Sequence, residues 1–227
     1  MNVKIAGLAV LTFILGCSGG STSSKLGDNK PFCDCQPTDP KKIRNAKPDR
    51  GPIVVLGDGL AFGHGADPKS LNTPSACIAG RTSNTVTTLA HDGETSDVVA
   101  KSVDKAVAMK AKIVFISAGI DDMLLNRVQP GSYPNQQTLS ELGAQFDKLL
   151  ESGALVVYLG LNPQTYLSER LPMAWDMANQ KGVLVIDGMG GLWKDPSLMA
   201  DDLHPNEKGY SVMCLRIISA LKDHLPE

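Results

Sequence analysis

Four short apolar runs, each closing on a small or polar residue, constrain this chain more than anything else in it. They are Ile53-Val54-Val55-Leu56 before Gly57, Ile113-Val114-Phe115-Ile116-Ser117, Leu155-Val156-Val157-Tyr158-Leu159 before Gly160, and Val183-Leu184-Val185-Ile186 before Asp187. A run of four or five residues without polar alternation is too short for a helix and reads as a strand covered on both faces. Thr85 to Ala90, richer in threonine, is a fifth candidate suited to a sheet edge. Between the runs the period becomes helical. Val98, Val99, Val103 and Val107 recur across 95–110, and Leu139, Leu142, Phe146, Leu149 and Leu150 across 137–151. Arg170 to Gln180 is a further helix with Gly182 as its stop, and Glu207 to Leu225 carries Val212, Leu215, Ile218 and Leu221 on one stripe. Alternating strands and helices imply right-handed crossovers and an α/β fold with a parallel sheet covered on both faces. No internal repeat is present, and no membrane-spanning segment follows residue 16.

The chain has 227 residues, enough for one well-buried domain. With 22 basic against 24 acidic residues and 5% aromatics, neither a global field nor stacking platforms favour nucleic acid. Lys41-Lys42 through Arg50 is a short basic exception in a proline-containing stretch. At the N-terminus, Lys4 precedes the apolar stretch Ile5 to Leu15, which is too short to span a bilayer. Ile14-Leu15-Gly16-Cys17 resembles a bacterial lipobox, which implies a diacylglyceryl thioether on Cys17. An ordinary cleaved secretory signal containing a cysteine is the simpler alternative. The organisation expected is a lipoprotein signal peptide over 1–16, a lipid-anchored flexible tether over 17–50 and one domain over 51–227. The mature protein is then exported and held at the cell envelope through its lipid. Ser18 suits an outer membrane, facing the periplasm, where the cell has one.

Export means oxidising conditions, so the cysteines bear on disulfides. With Cys17 assigned to lipid, Cys33, Cys35, Cys77 and Cys214 remain, a set with three pairings. Cys33-Asp34-Cys35 is too tight for a comfortable bridge. The expectation is that each pairs with Cys77 or Cys214, tying the N-terminal arm to the domain. The spacing is a poor zinc pattern.

In a parallel sheet, ligands bind in the crevice outside the carboxyl ends of the strands. Gly57-Asp58-Gly59 follows the first strand, and His91-Asp92-Gly93-Glu94-Thr95-Ser96 the second, where Gly93 can bring a bare N–H close to a ligand at a helix start. Gly119-Ile120-Asp121-Asp122 follows the third. Asp201-Asp202-Leu203-His204-Pro205 precedes the last helix. An aspartate three residues before a histidine can orient the imidazole through one ring nitrogen and leave the other as a base. The set offers a base unit, backbone donors and carboxylates, with no obvious nucleophile.

These blocks resemble the SGNH (GDSL-type) esterase and lipase family, in order and over most of residues 52–224. The resemblance implies a flavodoxin-like three-layer α/β/α sandwich with a five-stranded, mainly parallel sheet. It implies esters, acylated sugars or lipids as substrates, and no cofactor. Gly57-Asp58-Gly59-Leu60 matches the family's Gly-Asp-Ser-Leu except at the nucleophilic serine, where Gly59 stands. Ala61-Phe62-Gly63-His64-Gly65-Ala66 continues the likeness. Gly93 matches the family's oxyanion-hole glycine. Gly119-Ile120-Asp121-Asp122 matches Gly-x-Asn-Asp, with Asp121 replacing the oxyanion-hole asparagine. Asp201, His204 and Pro205 match the last block fully.

Both departures strike one step. An Asp–His pair only moves a proton, and glycine supplies no oxygen to attack with. An ionised Asp121 would repel the oxyanion, and it donates only if its pKa is raised. Four readings follow. The first is a non-catalytic member that binds an acylated small molecule, lipid or glycan, or docks a partner. The second is a weak or re-routed hydrolase in which His204 and Asp201 activate water. The third is a cation site using Asp58, Asp121, Asp201 and His204. The fourth is an esterase whose serine was deliberately replaced. Asp58 and His64 are taken as ligand-side residues, although His64 also suits a hydrogen bond within its own turn. Asp122 suits loop support, and Ser96 and Ser117 are poor substitute nucleophiles. No metal is assigned, and a monomer is expected.

Overall fold

All five apolar runs form strands, and alternate residues of each pack into opposite faces of a single sheet. The computed structural model describes residues 38–125, 136–160 and 171–225. The elements run β1 (Ile53–Gly57), α1 (Gly59–Phe62), α2 (Pro74–Ala79), β2 (Val86–Ala90), α3 (Ser96–Ala108), β3 (Ile113–Ser117), α4 (Ile120–Leu125), α5 (Gln136–Glu151), β4 (Leu155–Tyr158), α6 (Leu171–Lys181), β5 (Leu184–Val185) and α7 (Glu207–Leu221). The strands are parallel in the order β2-β1-β3-β4-β5, with Ile53 opposite both Val86 and Ile113, and Ile113 opposite Leu155. The Thr-rich strand is an edge, as its half-exposed residues allow.

The period of two sorts the core. Val54, Leu56, Val114, Ile116, Val156 and Tyr158 face α3, α5 and α6, meeting Val99, Val103, Leu142, Phe146 and Trp175. Ile53, Val55, Ile113, Phe115, Leu155 and Val157 face the other layer, meeting Leu60, Ile78, Tyr210, Met213 and Ile217 from α1, α2 and α7. Burying each such side chain is worth about 1.5–3 kcal/mol, so a one-residue slip of any central strand is excluded.

The chain leaves β1 towards β2 and returns to β3 on its other side, which puts the topological switch point at the carboxyl ends of β1 and β3. The last strand is shorter than its apolar run because the Val183 N–H closes the end of α6 on the Ala178 carbonyl, after Gly182 at φ +81°. Helix α2, which no apolar period marks, begins with Thr73 as N-cap and Pro74 at its first position. Among the described residues, no helix is long and apolar enough to cross a membrane.

Two expectations change. Cys77 is bonded to Cys214, with their Cα atoms 5.8 Å apart, because α2 and α7 pack side by side on one face of the sheet. Neither is then left for Cys33 or Cys35, which lie outside the described residues, as does Cys17. The second change concerns the tether, expected to reach residue 50. Residues 38–50 lie on the domain instead. Thr38 is buried and accepts from the Val185 N–H, Ile43 is buried, and the Asn45 amide donates to the carbonyls of Leu150 and Ala154. One apolar residue amid polar ones has no period, so this docking was invisible to pattern.

The Cys77–Cys214 bridge closes a loop 137 residues long. Replacing both cysteines by serine should lower the unfolding free energy by about 2–5 kcal/mol. A urea midpoint unchanged by the double substitution would refute that bridge.

Candidate functional site

The turn after β1 is dictated by backbone. Gly57 has φ +129°, and a Cβ there would lie 1.8 Å from the Ser117 carbonyl oxygen, so only glycine passes. The Asp58 N–H donates to that carbonyl, and the Asp58 carboxylate, fully buried, caps α1 by accepting from the Leu60 N–H. Asp58 therefore faces inward as a cap, not outward to a ligand. Gly59 is different. It is the first residue of α1 and lies outside the left-handed region, so the backbone does not ask for glycine there.

Two side chains stand close to Gly59. A Cβ on it would lie 2.5 Å from Asp92 Oδ1 and 2.5 Å from His204 Nε2. Both atoms are the ends of side chains, and that of Asp92 is nearly half exposed, so a larger residue here would make them shift. His204 sits just before α7 and is 9% exposed. Its Nδ1 is 3.1 Å from both oxygens of Asp201, whose Oδ1 also accepts from the N–H groups of Leu203 and His204. Burial alone would raise the Asp201 pKa, but these hydrogen bonds and the imidazole outweigh it and hold the group below its ordinary value. A carboxylate on Nδ1 places the proton there and leaves the Nε2 lone pair facing Gly59. The base unit read from Asp201 and His204 is assembled.

A second pair stands against the first. His64 Nδ1 is 2.7 Å from Asp92 Oδ2, its Nε2 is 3.5 Å from Asp201 Oδ2, and its ring lies 4.3 Å from that of His204. His64 thus reaches across the crevice rather than bonding within its own turn. Asp92 is the residue that sequence reasoning passed over. It lay in the quoted block His91-Asp92-Gly93, but nothing in its spacing marks it. Only the parallel pairing of β1 with β2 brings it to Gly59, with the His91 N–H donating to the Gly57 carbonyl.

Asp121 joins this group at the start of α4. Burial first, then the charge of Asp92, pushes its pKa up to about 6, with His204 and His64 partly offsetting the rise. At neutral pH it is mostly ionised and offers no donor to an oxyanion. Gly93 is exposed with φ +77° and nothing within 4 Å of an added Cβ, so conformation rather than crowding accounts for this glycine. Asp122 is structural. It accepts from the Ser96 N–H and hydroxyl and from Thr138, tying α3 to α5. Ser96 and Ser117 are both fully buried and cannot replace the missing nucleophile.

Residues 55–212 match the model of the GDSL-like lipase/acylhydrolase family. The chain belongs to that family. Solved structures with the same GDSL-type fold include a psychrotrophic esterase from Pseudoalteromonas sp., at 18% identity and TM-score 0.62, covering 77% of this chain and 97% of that one. A catalytic mutant of an acetylxylan esterase from Geobacillus stearothermophilus aligns at 15% identity and TM-score 0.61, over 77% and 95% of the two chains. A GDSL-like lipase from Bacteroides thetaiotaomicron aligns at 15% and 0.56, over 75% and 87%. No curated protein matches the chain by sequence. These likenesses establish the GDSL-type fold, on which this chain places two Asp–His pairs beside a glycine.

Burial raises the Asp58 pKa to about 7, with the Ser117 hydroxyl and the backbone of α1 opposing and the charge of Asp121 adding to the rise. The protonated form fits the fold better than the ionised one. Its contribution to stability is therefore complete below about pH 4 and lost as pH rises through about 7, on the order of 4 kcal/mol. Asp58→Asn keeps an oxygen for the Leu60 N–H and should flatten the fall in unfolding free energy between about pH 4 and pH 7. Parallel profiles for the two proteins in urea titrations would count against this.

Proposed function

We propose that this GDSL-family chain is a lipid-anchored envelope protein that does not hydrolyse esters through an acyl-enzyme, and that its crevice binds an acylated small molecule, a lipid or a glycan. The carrying observation is that Asp92 and His204 close on the place a nucleophilic side chain would occupy at Gly59. Asp121 presents an acceptor where acyl transfer needs a donor, with the charge of Asp92 beside it, and losing one oxyanion donor costs about 10²–10³ in rate. Carboxylates and imidazole nitrogens accept hydrogen bonds from hydroxyl groups, which favours the sugar part of a glycan or acylated sugar over a bare ester.

Wild-type protein should release no product above buffer from aryl acetates, acetylated sugars or lysophospholipids. Gly59→Ser alone should stay inactive, because the carboxylate of Asp121 still stands in place of an oxyanion donor. Gly59→Ser combined with Asp92→Ala and Asp121→Asn should gain at least about 10²-fold. The intact Asp201–His204 pair favours a second reading, in which His204 draws a proton from water. Wild-type turnover abolished by His204→Ala would select that route and sink the non-catalytic one.

The anchor rests on Gly16-Cys17 and the Ser/Gly-rich stretch after it. Mass spectrometry of the mature N-terminus should find a diacylglyceryl group on Cys17, and Cys17→Ala should release the protein from membranes. An unmodified mature chain beginning elsewhere would remove the anchor from the proposal.

A further inference from the structure

Three carboxylates gather at the strand ends, and among the described residues no lysine or arginine pairs with any of them. We propose that the crevice binds an amino sugar with a free primary amine, whose ammonium group sits between Asp92 Oδ1 and His204 Nε2 over Gly59. This rests on the reading of the crevice as a binding site and names the chemical class of what it binds.

Asp92 Oδ1 and His204 Nε2 each lie 2.5 Å from the point that a Cβ on Gly59 would occupy. A donor a few tenths of an ångström farther from each is at hydrogen-bond distance from both. Neither atom has a hydrogen to give. One is a carboxylate oxygen, and Asp201 holds the imidazole proton on the other ring nitrogen, Nδ1. Two acceptors facing one point suit a group with several hydrogens. An ammonium has three; a hydroxyl has one and an ester none.

Charge favours the same group. Asp92, Asp121 and Asp201 are set against two imidazoles, so one carboxylate stays uncompensated even with both rings protonated. Asp121 Oδ2 is buried without a hydrogen-bond partner, and the charge of Asp92 bears on that carboxyl. A cation beside Asp92 relieves this repulsion. The sugar framework is indicated by Phe62. It lies three residues after Gly59, on the same side of α1, and is 49% exposed. An exposed aromatic ring beside hydrogen-bond acceptors fits a pyranose, which has an apolar C–H face and donating hydroxyl groups. A simple amine would leave that ring unused.

The test is titration calorimetry of the full chain with a glucosamine oligosaccharide, its fully N-acetylated counterpart and ethanolamine, at low salt near neutral pH. The amine-bearing sugar should bind at least tenfold tighter than the N-acetylated one, and added salt should erode only that difference. Asp92→Asn should weaken the amine form by about 10–100-fold, the worth of a hydrogen bond between charged groups, and barely touch the N-acetylated form. Phe62→Ala should weaken both sugars. Asp104→Asn, a carboxylate on α3 paired with Lys148, is the control and should change nothing. Equal affinity for the two sugars, or no effect of Asp92→Asn, overturns the ammonium seat and leaves the crevice reading standing. Ethanolamine bound as tightly as the oligosaccharide overturns the sugar. Binding of neither sugar overturns the inference, and titrations with lysophospholipid and acetylated sugars then show whether the crevice reading falls with it.

Discussion

Strand β1 is hydrogen-bonded along its whole length to β2 on one side and β3 on the other, and the site hangs from its carboxyl end. The Asp58 N–H continues the β1–β3 ladder onto the Ser117 carbonyl, past a Gly57 that no other residue could replace. That bond sets where α1 begins, and so where Gly59 stands. The β1–β2 ladder ends with the His91 N–H on the Gly57 carbonyl, and the next residue is Asp92. Helix α7, joined to α2 by the Cys77–Cys214 bridge, brings up His204 from the far end of the chain. The backbone of the site is therefore placed by the sheet, while the side chains of Asp92, His64 and Asp201 are substantially exposed.

Electrostatics decides what such a crevice is good for. A hydrolase of this family type needs an attacking oxygen and donors for the oxyanion. Around Gly59 the chain supplies Asp92, Asp121 and Asp201, and burial with mutual repulsion lifts Asp121 to about 6 rather than far enough to keep it protonated at pH 7. Each histidine is tied to a carboxylate through Nδ1, and His64 Nε2 lies 3.5 Å from a second one, Asp201. Acceptors dominate, so hydroxyl groups are the natural partners, and a developing oxyanion is not. Gly59 stands beside this pattern: a side chain there would meet both Asp92 and His204.

Much of the fold was legible because a parallel sheet writes itself in unbroken apolar runs. Ile53–Leu56, Ile113–Ser117 and Leu155–Tyr158 became central strands, and the Thr-rich run became the edge. Asp201 and His204 were legible as a pair because they lie three positions apart, and local spacing suffices to bring their side chains together. Asp92 was not, since its partner His64 is 28 residues away on another loop. The cysteine pairing failed for the same reason. Arithmetic on positions cannot say that α2 and α7 are neighbours.

By itself, the sequence determined the α/β class, the strand ends at which chemistry collects, the absence of a serine at position 59 and the orienting of His204 by Asp201. All of these depend on contacts a few residues apart, or on the period of a single element. Tertiary structure alone decided that Asp92 stands beside Gly59, that His64 stacks on His204, and that residues 38–50 pack on the domain. Those facts arise where separate loops converge at the end of one sheet. Convergence is a property of strand order and packing that linear spacing does not contain.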